Sequence, residues 1–278
     1  MRRLMGTPGA VFGVAVVAVA LVLVLFAPVV APMDPTDQDL ATRLLPPWTA
    51  SARGFHILGT DPLGRDIASR VVYGGRISML VGLAAVVIAG SIGVTLGLIA
   101  GYAGGRWSAV IMRVADVQLA LPFMVLALAL VAAVGPSLLN LVIVLGVTGW
   151  VLYARVVRAE ALSLREREFV LAAHAVGVRP TGIVLRHILP NAASSIIVMA
   201  SLQMSRMMLF EASLSFLGVG VPPPTPTWGN MISDGRGYLA VAWWVSTMPG
   251  LALFVTVLGV TLLGDRLRDV LDPRLREP

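Results

Sequence analysis

The sequence contains no cysteine and no lysine, and all 21 of its strongly basic residues are arginine. Without cysteine, a disulfide, a thiol nucleophile and a thiolate metal site are excluded. Without lysine, the chain has neither the P-loop lysine that contacts nucleotide phosphates nor a Schiff-base amine. The three histidines, His56, His174 and His187, are too scattered for an HExxH zinc motif. We therefore expect no cofactor, no metal ion and no catalytic centre in this chain.

Charge is scarce as well. Only 13% of the 278 residues are charged and 57% are hydrophobic, with a mean hydropathy of +0.87. Soluble domains have about 25% charged residues, so this chain has too little polar surface for a soluble fold. The net charge of +6 could indicate nucleic acid, but most arginines flank apolar runs, as topology signals do. We expect membrane lipid around the chain and no nucleic-acid partner.

Six apolar stretches are long enough to cross a bilayer, which takes about 20 helical residues. The sequence therefore predicts an all-α integral membrane protein with six transmembrane helices, at 9–31, 77–101, 110–134, 138–157, 192–210 and 243–264. The first stretch is too long for the apolar part of a typical signal peptide, so we interpret it as a retained anchor. Residues 1–76 would form this anchor helix and an outer loop. Residues 77–278 would form a core of five spans.

The distribution of arginine predicts the orientation. With the N-terminus inside, 14 arginines lie on the cytoplasmic side and six lie outside, as the positive-inside rule requires. Both termini are therefore predicted to be cytoplasmic. The predicted inner loop then covers 158–191 and the predicted outer loop covers 211–242.

The second span carries a GxxxGxxxG pattern at Gly93, Gly97 and Gly101. Such a pattern clears one helix face, so that another helix backbone can approach closely. Two interpretations remain open from the residues alone. The stripe packs against another helix of this chain, or it contacts a partner membrane subunit.

The inner loop predicts a helix over 168–176, a break at Gly177 and a second helix that begins at Pro180 and runs to a proline at the membrane entrance. Ala172, Ala173 and Val176 are expected on the surface of the first helix. Small side chains there would let a groove of another protein close on the helix. The alternative is an amphipathic helix that rests on lipid. His174 and His187 are interpreted as interface or surface residues.

The spacing of Ala172, Ala173, Gly177, Leu189 and Pro190 resembles the EAA loop of ABC-importer permease subunits. The resemblance implies a loop that docks on a cytoplasmic ATPase. Two positions depart from the family pattern, because Leu171 replaces its Glu and His187 replaces its usual Ile. The implied ATPase-coupling residues are Glu168, Leu171, Ala172, Ala173, Gly177, His187, Leu189 and Pro190.

Three further segments, Leu58–Ser78, Glu211–Leu239 and Leu262–Arg274, are similar to the C-type permeases of dipeptide and oligopeptide importers. This resemblance implies an ABC type I importer permease in a bacterial cytoplasmic (inner) membrane. It implies a heterodimer with a B-type permease, two ATPase subunits that bind ATP and Mg, and an extracytoplasmic substrate-binding protein. The chain itself would be non-catalytic. Nickel and glutathione importers share these motifs, so they remain alternative substrates.

Other marked residues have two interpretations each. In the outer loop, Asp61, Arg65 and Asp66 either form exposed salt bridges with one another or dock the binding protein. In span 5, Arg206 faces the bundle, pairs, snorkels outward or lines a route for zwitterionic peptides. The apolar segment after this span forms a gate or packs on the partner permease. The pathway and gate candidates are Arg206, Glu211, Phe216 and Leu217.

Two function classes compete with a permease subunit. A secondary transporter would show intramembrane acids and internal repeats, and the spans other than the third have almost none of the former. A membrane enzyme would need a reactive constellation of side chains, and the sequence shows none without Cys, Lys or clustered His.

Overall fold

A computed structural model describes residues 8–271, and this part of the chain is mainly helical. Two short strands form a hairpin before the first long helix, and single helical turns occur at Leu40–Thr42, Val184–Ile188 and Arg236–Tyr238. The strands and helices are, in chain order, α1 (Pro8–Leu25), α2 (Ala27–Val30), β1 (Thr49–Ser51), β2 (Gly54–His56), α3 (Ile67–Tyr102), α4 (Gly105–Leu119), α5 (Phe123–Val134), α6 (Leu138–Thr148), α7 (Trp150–Arg165), α8 (Glu168–Ala175), α9 (Pro180–Ile183), α10 (Leu189–Phe216), α11 (Trp228–Gly235) and α12 (Trp244–Leu271).

Five continuous or nearly continuous helical stretches in the described part are long and apolar enough to cross a membrane. They are Pro8–Leu25, Ile67–Tyr102, Leu138–Arg165, Pro180–Phe216 and Trp244–Leu271. A sixth crossing arises only if the bent pair α4 and α5 counts as one span. The predicted all-α membrane architecture is therefore confirmed.

The third predicted span, 110–134, is not one straight helix. The axes of α4 and α5 differ by 87°, and the break lies between Leu119 and Phe123. Pro122 explains the break, because proline has no N–H to donate and disfavours helical geometry in the preceding residue. Gln118 stabilises it by accepting a hydrogen bond from the Trp150 ring nitrogen at 2.8 Å.

The second span begins ten residues earlier than the sequence predicted, at Ile67 instead of 77. Asp66 is the reason, because its carboxylate accepts a hydrogen bond from the Ser69 backbone N–H at 2.8 Å. An aspartate at this position satisfies one of the free N–H groups of the first turn and is a strong helix start. Part of the predicted outer loop is therefore helical.

The bundle has two distinct ends. The hairpin of β1 and β2 lies beside the start of α3, and α8 follows the far end of α7. α1 runs along α12, with Gly13 against the Gly259 backbone, and Arg268 near the end of α12 lines a cavity with Arg167, which precedes α8. Both described ends of the chain therefore lie at the end that carries α8, called the α8 end below.

The glycine stripe of α3 packs against α7 of the same chain. A Cβ added at Gly93, Gly97 or Gly101 would lie within 3.0 Å of atoms of α7, some of them backbone atoms. The interpretation that the stripe serves packing within the chain is thus confirmed. The main core lies between α3, α6 and α10, and its fully buried members include Val81, Leu141 and Met207.

Candidate functional site

The segment around α8 has the predicted form of a helix that ends at a glycine. Gly177 has a φ of +78°, which an L side chain rarely adopts. The Val178 N–H donates to the Ala173 carbonyl at 3.1 Å, and the Gly177 N–H donates to the His174 carbonyl at 3.0 Å. These two bonds form a Schellman motif, which satisfies the free carbonyls at a helix end. The turn direction after α8 is therefore defined by the backbone.

One face of α8 holds it to the bundle, and the other faces away. Val170 and Ala173, three residues apart on one helix face, are buried in a small cluster with Ile183 and Ile188. The expectation that Ala173 lies on the surface is wrong, because its methyl group fills this contact. Ala172 is exposed as predicted.

Several apolar side chains remain uncovered on the outer side of α8. Val176 is 79% exposed and Leu171 is 53% exposed. Together with two neighbours they form a surface that we call the α8 patch, made of Phe169, Leu171, Ala172 and Val176. Exposed apolar side chains grouped on one short helix are typical of a protein contact.

The remaining residues predicted for this loop are close to α8 but differ in exposure. Glu168 is exposed in the first turn of α8, where an acid suits the helix dipole. His187 is partly buried, with its ring 6.4 Å from the Phe169 ring. Leu189 packs on the small cluster, and Pro190 lies in the first turn of α10 without interrupting the helical stretch Pro180–Phe216.

Asp61, Arg65 and Asp66, which directly precede α3, are buried, and the expectation of exposed pairs among them is wrong. The Arg65 Nε lies 2.6 Å from Asp61 Oδ2, and the Arg70 Nε lies 3.6 Å from the same oxygen. Asp234 of α11 approaches both guanidinium groups at 3.7 and 3.8 Å. Burial raises the pKa of Asp234 above its usual value, and the two arginines oppose that shift.

Asp66 belongs to a second buried group, which also contains His56. His56 Nδ1 lies 3.0 Å from Asp66 Oδ1, and His56 Nε2 lies 3.0 Å from Ser51 Oγ. This group connects the hairpin to the first turn of α3. The side chains of Asp61, Arg65 and Asp66 are therefore buried and bound to other residues of this chain. They are not exposed for direct contact with a docking protein.

Glu211, a pathway candidate from the sequence, is 0% exposed. Its carboxylate accepts hydrogen bonds from Ser78 and Ser215, each at 2.9 Å, and Ser78 Oγ in turn accepts from the Trp228 N–H. The residue thus connects α3, α10 and α11. It does not line an open route through the described structure.

Arg206, five residues earlier on α10, is exposed. It lines a cavity of about 390 Å³ beside the break between α4 and α5, with Gln118, Gln203 and Phe210 among its neighbours. Phe210 stacks on Phe123 with ring centroids 4.3 Å apart. Arg206 therefore lines the same cavity as two amide side chains and two aromatic rings, beside the bent pair α4 and α5.

The segment after α10 returns along its own chain. Arg236 lies over the Phe216 ring at 5.2 Å, and Leu217 is exposed. Gly229 of α11 lies against Ala212 of α10, so closely that a Cβ would contact the backbone. The three-residue spacing of Arg113 and Asp116 on α4 favours an intrahelical pair, but Asp116 pairs with Arg155 of α7 instead.

Comparison with known proteins adds an independent line of evidence on the family of this chain. Residues 93–277 match the family described as the inner membrane component of binding-protein-dependent transport systems. Residues 1–47 match the N-terminal transmembrane domain of oligopeptide transport permease C.

Curated relatives cover nearly the whole chain. The di/tripeptide transport system permease protein DppC of Pseudomonas aeruginosa (strain UCBPP-PA14) is 42% identical over 96% of this chain and 89% of its own. The dipeptide transport system permease protein DppC of Escherichia coli (strain K12) is 45% identical, over 97% and 90%. The probable D,D-dipeptide permease DdpC of the same strain is 41% identical, over 98% and 89%.

Among solved structures, inward-facing conformations of the MetNI methionine ABC transporter contain a chain with the same fold. The TM-score is 0.60 at 20% identity, over 73% of this chain and 96% of that chain. The long apolar helices and the family match agree on a multi-pass protein of the bacterial inner membrane. This chain belongs to the family of inner-membrane permease components of binding-protein-dependent ABC importers.

Proposed function

We propose that this chain is one of two permease subunits through which an ATP-driven importer moves dipeptides and short oligopeptides. The observation that carries the proposal is the α8 patch, an uncovered apolar surface held on a Schellman turn at the α8 end. The names of the full-length relatives support peptides as the substrate class. None of the three relatives described above is named as a nickel or glutathione permease.

The α8 patch is the proposed docking surface for an ATPase subunit in the cytoplasm. Two such subunits would bind ATP and Mg, and this chain would bind neither. The helical stretch Pro180–Phe216 begins just after α8 and crosses the whole bundle. Val170 and Ala173 of α8 pack on this stretch. A displacement of α8 would therefore move the stretch Pro180–Phe216 with it as a rigid body. Both chain termini would lie on the same, cytoplasmic side.

The open face beside Arg206 is the proposed half of the pathway. A B-type permease would supply the other half and cover the cavity lined by Gln118, Gln203 and Phe210. A guanidinium group binds a carboxylate with two parallel hydrogen bonds, so Arg206 suits the C-terminus of a peptide. Phe216 and Leu217 lie where α10 ends, away from the α8 end, and are proposed as part of an outer gate.

The hairpin end is the proposed contact for an extracytoplasmic binding protein. The buried groups around Asp61, Arg65 and Asp66 would act there indirectly, because they hold the hairpin on α3. The exposed side chains nearby include Trp48 and Phe55, whose ring centroids lie 6.0 Å apart. These two aromatic rings are the surface that a docking protein would meet.

The test is uptake of a labelled dipeptide by proteoliposomes that contain the complete transporter. We expect ATP-dependent uptake with the parent chain, and no ATP-dependent uptake of nickel or glutathione. Val176→Asp, in the α8 patch, should reduce uptake and peptide-dependent ATP hydrolysis together. Val241→Asp, at a valine that is 70% exposed just before α12, should leave the docking of the ATPase unchanged.

Arg206→Gln should raise the peptide concentration needed for half-maximal uptake, and Arg206→Lys should restore part of the loss because it keeps the positive charge. Parental uptake by Val176→Asp would contradict the docking surface. Uptake of nickel or glutathione instead of dipeptide would contradict the substrate class.

A further inference from the structure

A second cavity, of about 660 Å³, lies at the α8 end between α7, α10 and α12. It is separate from the cavity beside Arg206, and the proposed pathway does not account for it. Six of its lining residues are polar or charged, namely Glu160, Arg167, Asn191, Ser194, Ser195 and Arg268. Its volume lies within the range of about 300–1,000 Å³ that is typical of small-molecule sites.

The acid in this cavity, Glu160, is held in place by a hydrogen bond but has no ion-pair partner among residues 8–271. Glu160 is partly buried, and its Oε1 accepts a hydrogen bond from Ser195 Oγ at 2.8 Å. This bond joins α7 to α10 and orients the carboxylate. Within residues 8–271, no arginine or histidine lies within ion-pair distance of Glu160. A cationic group of a ligand can therefore approach its second oxygen without displacing a protein partner.

The two bases are equally available. Arg167 precedes α8 and Arg268 lies near the end of α12, and both side chains are exposed. Neither guanidinium makes an ion pair or a hydrogen bond with any residue of the part that the structure describes. Other arginines at this end do have partners, since Arg165 pairs with Glu166 and Arg155 pairs with Asp116. The cavity thus gathers two arginines whose guanidinium groups have no partner within residues 8–271 and an acid that is hydrogen-bonded to Ser195 but has no ion-pair partner there.

This set of groups matches a ligand that carries both charges. An ammonium group can donate to a carboxylate, and a carboxylate can accept two hydrogen bonds from one guanidinium. We propose that this cavity binds short zwitterionic peptides that have reached the α8 side, with Glu160 at the ammonium and with Arg167 and Arg268 at the carboxylate, and that its occupation slows further import. The inference rests on the proposed function and extends it to regulation by the product.

The slowing follows from where the groups are attached. A bound peptide would connect α7, α10 and α12 to Arg167, the residue just before α8. A rigid-body movement of α8 relative to α12 would separate these groups and break the contacts. A ligand that binds one conformation better shifts the population toward it, so internal peptide should hold the transporter in the conformation with an assembled cavity.

The experiment uses the complete transporter in proteoliposomes with ATP enclosed, so that only molecules whose ATPases face the lumen are active. The lumen also holds unlabelled glycylglycine at a graded concentration, and the initial uptake of labelled dipeptide is measured. Uptake by each variant is expressed relative to its own uptake without internal peptide. We expect internal glycylglycine to inhibit the parent. N-acetylated glycylglycine and the peptide amide, which each lack one charge, should inhibit much less.

Glu160→Gln and Arg268→Gln should raise the half-inhibitory concentration of internal glycylglycine by about tenfold or more, since each removes a charge-assisted contact. Arg106→Gln is the matched control, because Arg106 is exposed at the same end but does not line the cavity. Internal glycylglycine should inhibit uptake by this variant as strongly as uptake by the parent. As a second measurement, equilibrium binding of labelled glycylglycine to the purified transporter without ATP should weaken in the same two variants.

The outcomes separate the two proposals. Normal ATP-driven uptake that internal peptide does not inhibit would overturn this inference and leave the proposed function intact. Inhibition that the two cavity variants do not change would also overturn it. If internal peptide has no effect, but the difference in uptake between the variants and the parent depends on phosphatidylethanolamine in the vesicle, the cavity would be assigned to a lipid headgroup instead. The absence of any dipeptide uptake or binding by the parent would overturn both proposals.

Discussion

The buried pair of Asp61 and Arg65 provides a quantitative test of the outer cluster, because the same loop contains a matched exposed pair. Arg65 Nε lies 2.6 Å from Asp61 Oδ2, and the two side chains are 8% and 4% exposed. Arg53 Nη1 lies 2.6 Å from Asp37 Oδ2, with exposures of 45% and 57%. The two pairs have the same residue types and the same distance, and they differ in burial.

The perturbation is Asp61→Asn, with Asp37→Asn as its control. Asp61 Oδ1 accepts hydrogen bonds from the backbone N–H groups of Leu63 and Arg65 at 2.8 and 3.0 Å, and an asparagine oxygen can keep both. The asparagine NH₂ would then replace Oδ2 and place a donor against the guanidinium N–H. The change therefore leaves two buried guanidinium groups, those of Arg65 and Arg70, without their nearest carboxylate.

The expected losses differ clearly. Breaking a buried charge pair by removing one partner costs about 3–5 kcal/mol, because the other charge stays buried. Removing an exposed pair costs about 0–1 kcal/mol, since water solvates the remaining charge. The free energy of unfolding would be measured for both purified variants in mixed micelles of rising SDS fraction. A loss below about 1 kcal/mol for Asp61→Asn, or equal losses for both variants, would refute the reasoning.

Three further predictions follow from particular contacts. Gly97→Ala should destabilise the chain by about 1–3 kcal/mol, because the new Cβ would lie 2.8 Å from atoms of α7. Gly90→Ala, where the nearest ring atoms lie at 3.7 Å, should change the same unfolding measurement little. Gly177→Val should lower dipeptide uptake because a β-branched residue is strained at φ +78°, whereas Gly177→Asn should retain more; equal uptake would contradict the assigned turn. Glu211→Ala should cost about 1–3 kcal/mol by leaving two serine hydroxyls without their acceptor, and the exposed Ser213→Ala should cost less than about 0.5 kcal/mol in the same measurement.

Local signals predicted the α8 segment well, because each of them acts over a few residues. A glycine after a run of helix formers predicts a C-terminal turn, and Gly177 has the positive φ that this turn needs. Pro180 likewise begins the next helix as its rigid φ favours. The side of α8 that faces the bundle was not predictable in the same way, since Ala172 and Ala173 are both small and apolar. Only contact with Ile183 and Ile188 distinguishes them.

Residues whose partners are distant in sequence were predicted less well. Glu211 was a pathway candidate because it lies near the outer end of span 5, five residues after Arg206, and the sequence contained no sign that Ser78, 133 residues earlier, donates to it. The outer charges were expected on the surface because charged residues are mostly exposed. Two of them, Arg65 and Arg70, are buried and approach Asp234, which lies on a helix more than 160 residues later. Neither arrangement has a signature in local spacing.

The sequence by itself determined the membrane setting, the number of apolar stretches, the family and the turn after α8. These properties depend on composition, on the apolar length that a bilayer requires and on motifs a few residues long. The tertiary structure decided that the glycine stripe serves packing within the chain, that the third span bends by 87°, and that Glu211 is closed off while Arg206 stays open. It also assembled the cavity of Glu160, Arg167 and Arg268. The physical reason is that burial and pairing belong to the space between helices, which the order of residues along one helix does not specify.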